Sequence, residues 1–266
     1  MTDLKTGSGK KIDAVIFDVD GVLLDVSRSF SEVIRRSILD GFVRFCGGEA
    51  DSEGYTTEHD KIMKRHGAFN DEYDLAWSLL SMTAAAGGKK LSLAFPSPEK
   101  LAAELESFSG SVKEWTLERY GALIPYKEFR GYCDDLYLGT KDSKGLYVLE
   151  KPLLHAKWNE LPLPAGLYTG RDLKELACAY ESLGWEPLPK ENVIHRETGI
   201  CKPSPEGLEI LCKRFGAENP LYVGDTASDF KAFKAFGKGV FAAIGGLLPE
   251  AENSFADCDE VLEKLL

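Results

Sequence analysis

Short apolar, β-branched runs alternate with amphipathic stretches through the second half of the chain. Ile12-Asp-Ala-Val-Ile-Phe17 is apolar but for one position, and Asp and Gly follow it within a few residues. That is the pattern of a buried strand running into a turn. Gly166-Leu-Tyr-Thr169, Asn192-Val-Ile194, Leu221-Tyr-Val223 and Gly239 to Ile244 read as further strands. Between them lie helical stripes. Leu173, Leu176, Ala177, Tyr180 and Leu183 recur at helical spacing before a stop at Gly184. Ser204 is the expected N-cap of a helix with Pro205 at its first position. Leu208, Leu211, Cys212 and Phe215 form its apolar face and Gly216 ends it. Phe230, Phe233 and Phe236 face inward on a shorter helix closed by Gly237, with Lys231, Lys234 and Lys238 on its wet side. A terminal helix is expected from Val261 to Leu266. This rhythm predicts an α/β protein whose core is a Rossmann-like, doubly wound parallel sheet.

The segment after Asp25 breaks the rhythm. Helical stretches are expected at Phe30 to Phe45, Glu72 to Ala86, Pro98 to Ser107 and Val112 to Tyr120, separated by polar or glycine-rich pieces. The expected organisation is a core from residues 1–25 and 162–266, with a mostly helical cap domain at 26–161 inserted between the first two strands.

Composition narrows the function. With 32 basic and 43 acidic residues the net charge is −11, which argues against a nucleic-acid surface or a polybasic membrane patch. The polar stretch Met1 to Lys11 has no apolar core of the kind a secretory signal needs. No apolar run approaches the roughly 18–20 residues that span a bilayer. Six scattered cysteines without a C-x-x-C pair favour a reduced, cytoplasmic protein without a zinc site. Oligomeric state leaves no mark.

Ligands of open parallel sheets bind beyond the carboxyl ends of the strands. Those ends carry Asp18 and Asp20 after the first strand, and Thr169, Gly170 and Arg171 after the second. Lys202 follows the third, and Asp225 and Asp229 the fourth. The first junction reads D-x-D-G and not G-x-G-x-x-G, so a dinucleotide is not the expected ligand. Several carboxylates at one edge call for a cation. Oxygen donors suit Mg²⁺, which usually shares its site with a phosphate. Asp18 and Asp225 are the expected metal holders, with Asp18 also attacking phosphorus. Thr169 and Lys202 would meet the charge on the transferring oxygens. Asp20 would act as general acid and then as general base.

Four motifs carry a resemblance: Asp18-Val-Asp-Gly-Val-Leu23, Tyr168-Thr-Gly-Arg171, Cys201-Lys-Pro-Ser-Pro205 and Gly224-Asp-Thr-Ala-Ser-Asp229. In this order they resemble those of the haloacid dehalogenase-like (HAD) hydrolase superfamily. The helical insertion after the first motif resembles the cap of its subfamily I, in a IA-like branch. The resemblance implies that Asp18 is the nucleophile and Asp20 the acid/base. It also implies Mg²⁺ on the Asp18 carboxylate, the Asp20 backbone carbonyl and Asp225, with Asp229 a ligand or a partner behind the ligands. A simple helix-capping role for Asp229 stays open. Dehalogenases resemble this pattern but lack a carboxylate at the position of Asp20, so the implied activity is a phosphatase acting on a small phosphorylated metabolite. A phosphotransferase or phosphomutase shares every motif, and a non-catalytic module of the same fold is a further alternative.

Substrate contacts are the weakest part of the pattern. Gly170 and Arg171 at the second junction are candidates, joined by Arg28, Arg36, Lys64 and Asn70 from the insertion. Any one cation of the insertion reads more readily as part of a solvated helix face.

Overall fold

The computed structural model describes residues 11–66, 68–69, 71–246 and 248–265. The leader at residues 1–10 and the candidate contact Asn70 lie outside the described residues, as does the side chain of Lys64. The chain divides into two compact units, one of Met1–Ser27 with Tyr147–Leu266 and one of Arg28–Leu146.

Among the described residues the first unit is built on one six-stranded sheet: β1 (Val15–Phe17), β2 (Ala165–Tyr168), β3 (Val193–Ile194), β4 (Leu221–Gly224), β5 (Val240–Ile244) and β6 (Ser254–Phe255). Their order is β6-β5-β4-β1-β2-β3, with β1 paired in parallel to both β2 and β4. The edge strand β6, only two residues long, had no signal in the apolar pattern. Alternate side chains enter opposite cores, as the two-residue period of a strand requires. Val15, Phe17, Leu167, Val223 and Ala242 face one way, against Leu176 and Ala179 of helix Leu173–Leu183 and Val261 of helix Cys258–Leu265. Ile16, Tyr168, Tyr222, Phe241 and Ala243 face the other way, against Leu208 and Leu211 of helix Glu206–Phe215 and Ala232 of helix Ala227–Phe236. Phe230, Phe233 and Phe236 are half-buried against this second core. Helices on both faces make the sheet doubly wound.

One cap differs from expectation. Pro205, not Ser204, is the N-cap of helix Glu206–Phe215, and Ser204 sits in the preceding turn with its N–H donating to the Cys201 carbonyl at 3.0 Å. The Ser204 hydroxyl still accepts from the Glu206 N–H at 3.2 Å, so it serves the helix end from one residue further out.

The second unit is helical. Its central helix, Glu72–Ala86, buries Tyr73 and every position from Leu75 to Thr83, so it is surrounded and not amphipathic. Trp77, Leu79 and Leu80 are fully buried in it, and the Trp77 indole N–H donates to the Ile124 carbonyl at 3.1 Å. Helices Ser29–Cys46, Val112–Tyr120 and Tyr126–Leu138 pack around it. The last of these carries only Phe129, Cys133 and Tyr137 as its buried stripe and is interrupted by Gly131, which is why the apolar pattern does not single it out. Among the described residues no helix is long and apolar enough to cross a membrane.

Candidate functional site

The strand order dictates the site. Asp18 leaves β1, and the strands on either side of β1 end in Thr169 and in Gly224-Asp225. Side chains 150 to 200 residues apart in sequence therefore share one sheet edge. Gly21 makes the approach feasible: its φ is +73°, and a Cβ there would lie 2.1 Å from Asp225 Oδ2. Only glycine tolerates both the left-handed backbone and that contact.

Charges gather around Lys202. Its Nζ lies 2.8 Å from Asp18 Oδ1 and 2.7 Å from Asp229 Oδ1. One oxygen from each of Asp18, Asp225 and Asp229 comes within 4.8 Å of the others, a grouping of the kind that holds a metal ion among the described residues. Burial pushes the Asp18 carboxyl well above its usual range; neighbouring carboxylates reinforce this and Lys202 opposes it. Asp225 is pushed up to about 7 by burial and by the charge of Asp229. Burial would lower the Lys202 ammonium, but the two carboxylates outweigh it and hold the pKa above the usual value.

Asp229 is different. It is fully buried, and burial alone would raise its pKa, yet Lys202 and hydrogen bonds from Thr226 and Tyr222 hold it below the ordinary carboxylate value. Oδ1 takes Lys202 and the Tyr222 hydroxyl, while Oδ2 takes the Thr226 N–H at 3.0 Å and hydroxyl at 2.5 Å. Both oxygens are thus engaged by the protein, including the capping box of helix Ala227–Phe236. Asp225 Oδ1, by contrast, is buried without a hydrogen-bond partner among the described residues. A buried polar atom of this kind is costly unless something else satisfies it. A partnerless carboxylate oxygen beside a second buried carboxylate is a donor set that fits a hard divalent cation.

Thr169 is buried, and its hydroxyl oxygen accepts the Arg171 N–H at 3.2 Å. Gly170 is exposed. Arg171 is not turned outward as a substrate contact would be. It is 1% exposed, and its guanidinium reaches Asp20 Oδ1 through Nε at 2.9 Å and Nη2 at 2.6 Å, and Glu150 Oε1 through Nη2 at 3.0 Å. Arg28 is exposed at the start of helix Ser29–Cys46. Arg36 is exposed on that helix and paired with Glu32 at 2.6 Å, as a solvated helix face would have it. Asp20, Thr169, Lys202, Asp225 and Asp229 all lie in the first unit with Asp18; Arg36 and Lys64 lie in the second.

Two partners escaped the sequence reading. Glu150 lies on no recognisable motif. Tyr222 carried a usable signal, a hydroxyl inside the otherwise apolar strand Leu221–Gly224.

Comparison with known proteins agrees with this architecture. The family profile of the haloacid dehalogenase-like hydrolases matches residues 12–237. The chain therefore belongs to that family. Among solved structures, phosphatase Tt82 from Thermococcus thioreducens superposes with a TM-score of 0.68 at 23% identity, covering 94% of this chain and 98% of that one. A candidate phosphoglycolate phosphatase from Lactobacillus delbrueckii subsp. bulgaricus gives 0.54 at 17% identity, over 97% and 99%. A candidate haloacid dehalogenase-like hydrolase from Bacteroides fragilis gives 0.53 at 16% identity, over 94% and 100%. At these identities the likeness is one of fold. A search of curated protein sequences finds no match.

Proposed function

We propose that this hydrolase is a Mg²⁺-dependent phosphatase that cleaves small phosphomonoesters through an aspartyl-phosphate on Asp18. The observation that carries the reading is the pairing of Asp18, held at 2.8 Å by Lys202, with a buried Asp225 oxygen that no group among the described residues satisfies. Asp18, Asp225 and the Asp20 backbone carbonyl are the residues assigned to hold the ion. A magnesium ion held there would shield the negative charge that nucleophile and phosphoryl group bring together.

An Asp18 oxygen attacks phosphorus, and the bond to the leaving oxygen breaks. Lys202 and the Thr169 hydroxyl stabilise the phosphoryl oxygens, whose charge is greatest as the transfer occurs. Asp20 gives its proton to the leaving alkoxide. It then takes a proton from water as that water attacks the acyl phosphate, releasing inorganic phosphate and restoring Asp18. Asp229 keeps Lys202 in place instead of joining the ion directly.

The second unit, Arg28–Leu146, takes the part of the cap in this proposal, and Arg28, Arg36, Lys64, Asn70 and Gly170 stay assigned to substrate selection. Six free cysteines support a reducing, cytoplasmic setting as part of the same reading.

The test is a panel of phosphorylated metabolites assayed with and without Mg²⁺, together with acid-quenched labelling. Phosphate release that needs Mg²⁺, and label that vanishes in Asp18→Asn, are expected. Inertness toward every phosphomonoester, or label retained in Asp18→Asn, would overturn the reading. Transfer to a second sugar in place of water would reassign the protein as a phosphotransferase.

A further inference from the structure

We propose that Arg171 is a positioning residue, holding the Asp20 carboxylate where it can pass a proton to the leaving oxygen and later take one from water. The inference rests on the reading above, in which Asp20 is the acid and base.

The geometry is specific. Two guanidinium donors, Nε at 2.9 Å and Nη2 at 2.6 Å, converge on one oxygen of Asp20. Two donors on a single atom pin that oxygen, and with the other end of the side chain tied to the backbone this narrows where the second oxygen can point. The guanidinium is itself clamped. Nη2 also donates to Glu150 Oε1 at 3.0 Å, and Nη1 donates to the Glu175 carbonyl at 3.1 Å. Glu150 has a side chain 0% exposed, and the Arg171 side chain is 1% exposed, whereas Asp20 retains 33% exposure. The arrangement is therefore a rigid buried arm ending in a carboxylate that is open on its far side.

The same residue touches a second functional group. Its backbone N–H donates to Thr169 Oγ1 at 3.2 Å, which occupies one of the hydroxyl's two lone pairs and turns its proton away from Arg171. Arg171 thus sets Asp20 from its side chain and Thr169 from its backbone. All of these groups belong to the first unit. A lysine at this position would offer one compact ammonium in place of a planar fork and could not reproduce the double contact.

The two chemical steps separate a positioning role from a merely structural one. 2,4-Dinitrophenolate departs as a stable anion and needs no proton, whereas phenolate benefits from one. The breakdown of the phosphoenzyme needs a base with either ester. In Arg171→Lys, 2,4-dinitrophenyl phosphate should give a burst of one equivalent of dinitrophenolate. Phosphoenzyme should then accumulate, with turnover about 10- to 100-fold below wild type, a fraction of what acid–base catalysis usually contributes. Phenyl phosphate should give no burst, because formation is slowed too. Asp20→Asn should show the same pattern more strongly. Glu150→Gln, which keeps an acceptor for Nη2 but loosens the clamp, should show it more weakly. A structural role alone would lower the active fraction without changing the ratio of the two steps. If Arg171→Lys does not fold, by far-ultraviolet circular dichroism, Glu150→Gln decides the matter. Absence of the burst in Asp20→Asn would sink the reading of Asp20 itself. A burst in Asp20→Asn with wild-type partition in both other variants would overturn the role of Arg171 alone.

Discussion

Each unit of the molecule contains a cation set among carboxylates, and the two clusters are arranged to opposite ends. In the second unit Arg130 donates through Nη1 to Asp71 at 2.9 Å and Asp74 at 2.6 Å, and through Nη2 to the other Asp71 oxygen at 3.0 Å. Asp71 also caps helix Glu72–Ala86 by accepting the Tyr73 and Asp74 N–H groups, and Asp74 accepts the Tyr126 hydroxyl at 2.7 Å. The Arg130 and Tyr126 contacts tie helix Tyr126–Leu138 to the start of helix Glu72–Ala86, and the remaining bonds cap that start. In the first unit Lys202 bridges Asp18 and Asp229, but Asp225 beside them keeps a buried oxygen with no partner. Similar ingredients yield a strut in one place and an open valence in the other. What separates a structural charge cluster from a chemical one is the donor or acceptor that the fold leaves unanswered.

The comparison can be broken experimentally. The largest effect is expected for Asp18→Asn, which should cut turnover about 10⁴-fold or more, as loss of a covalent nucleophile does. Steady-state rates with any accepted ester check it. Asp225→Asn comes next. In wild type, Mg²⁺ at 100 times its dissociation constant should add about 2.7 kcal/mol of stability, seen as a rise in Tm. The variant should lose most of that rise, yet be no less stable than wild type in chelator, since an amide replaces a carboxyl whose buried Oδ1 has no partner among the described residues. A wild-type Tm that ignores Mg²⁺ would refute the open valence.

Arg130→Met should act the other way, costing about 2 kcal/mol in urea unfolding by stranding two half-buried carboxylates. Phosphoenzyme formation per folded molecule should stay at the wild-type level, and a specific fall would erase the contrast. The smallest effect concerns Glu175, which burial pushes up to about 7 against the opposing charge of Arg196. The folded chain keeps a proton there that the unfolded chain, titrating near 4.5, gives up. Its stabilising contribution is therefore complete below about pH 4.5 and disappears as pH climbs through about 7. Glu175→Gln should flatten the loss of stability between pH 5 and 8 by about 1 kcal/mol, read from unfolding curves at both pH values.

Legibility in the sequence followed the physics of each element. Asp18, Thr169 and Asp225 could be placed together because parallel strands deliver their carboxyl ends to one edge whatever the helices do. The same logic cannot orient a side chain. Arg171 follows Thr169 and Gly170 at that edge, yet it turns inward because Glu150, at the far end of the long insertion, offers a buried counter-charge. No local pattern encodes that pairing. The helix Tyr126–Leu138 was obscured for a different reason, since one apolar residue every fourth position is too thin a stripe to stand out from its polar setting. Glu72–Ala86 was plain, because a run of apolar and small residues of that length admits little besides a buried helix.

Gly21 sets a limit on how this chain can change. A methyl group there would drive a wedge between the loops leaving β1 and β4 and prise Asp225 from its neighbours. The sheet beneath makes none of its ladder pairings through that residue. One added methylene would therefore disturb the chemistry more than the sheet, at a place where no reacting group resides.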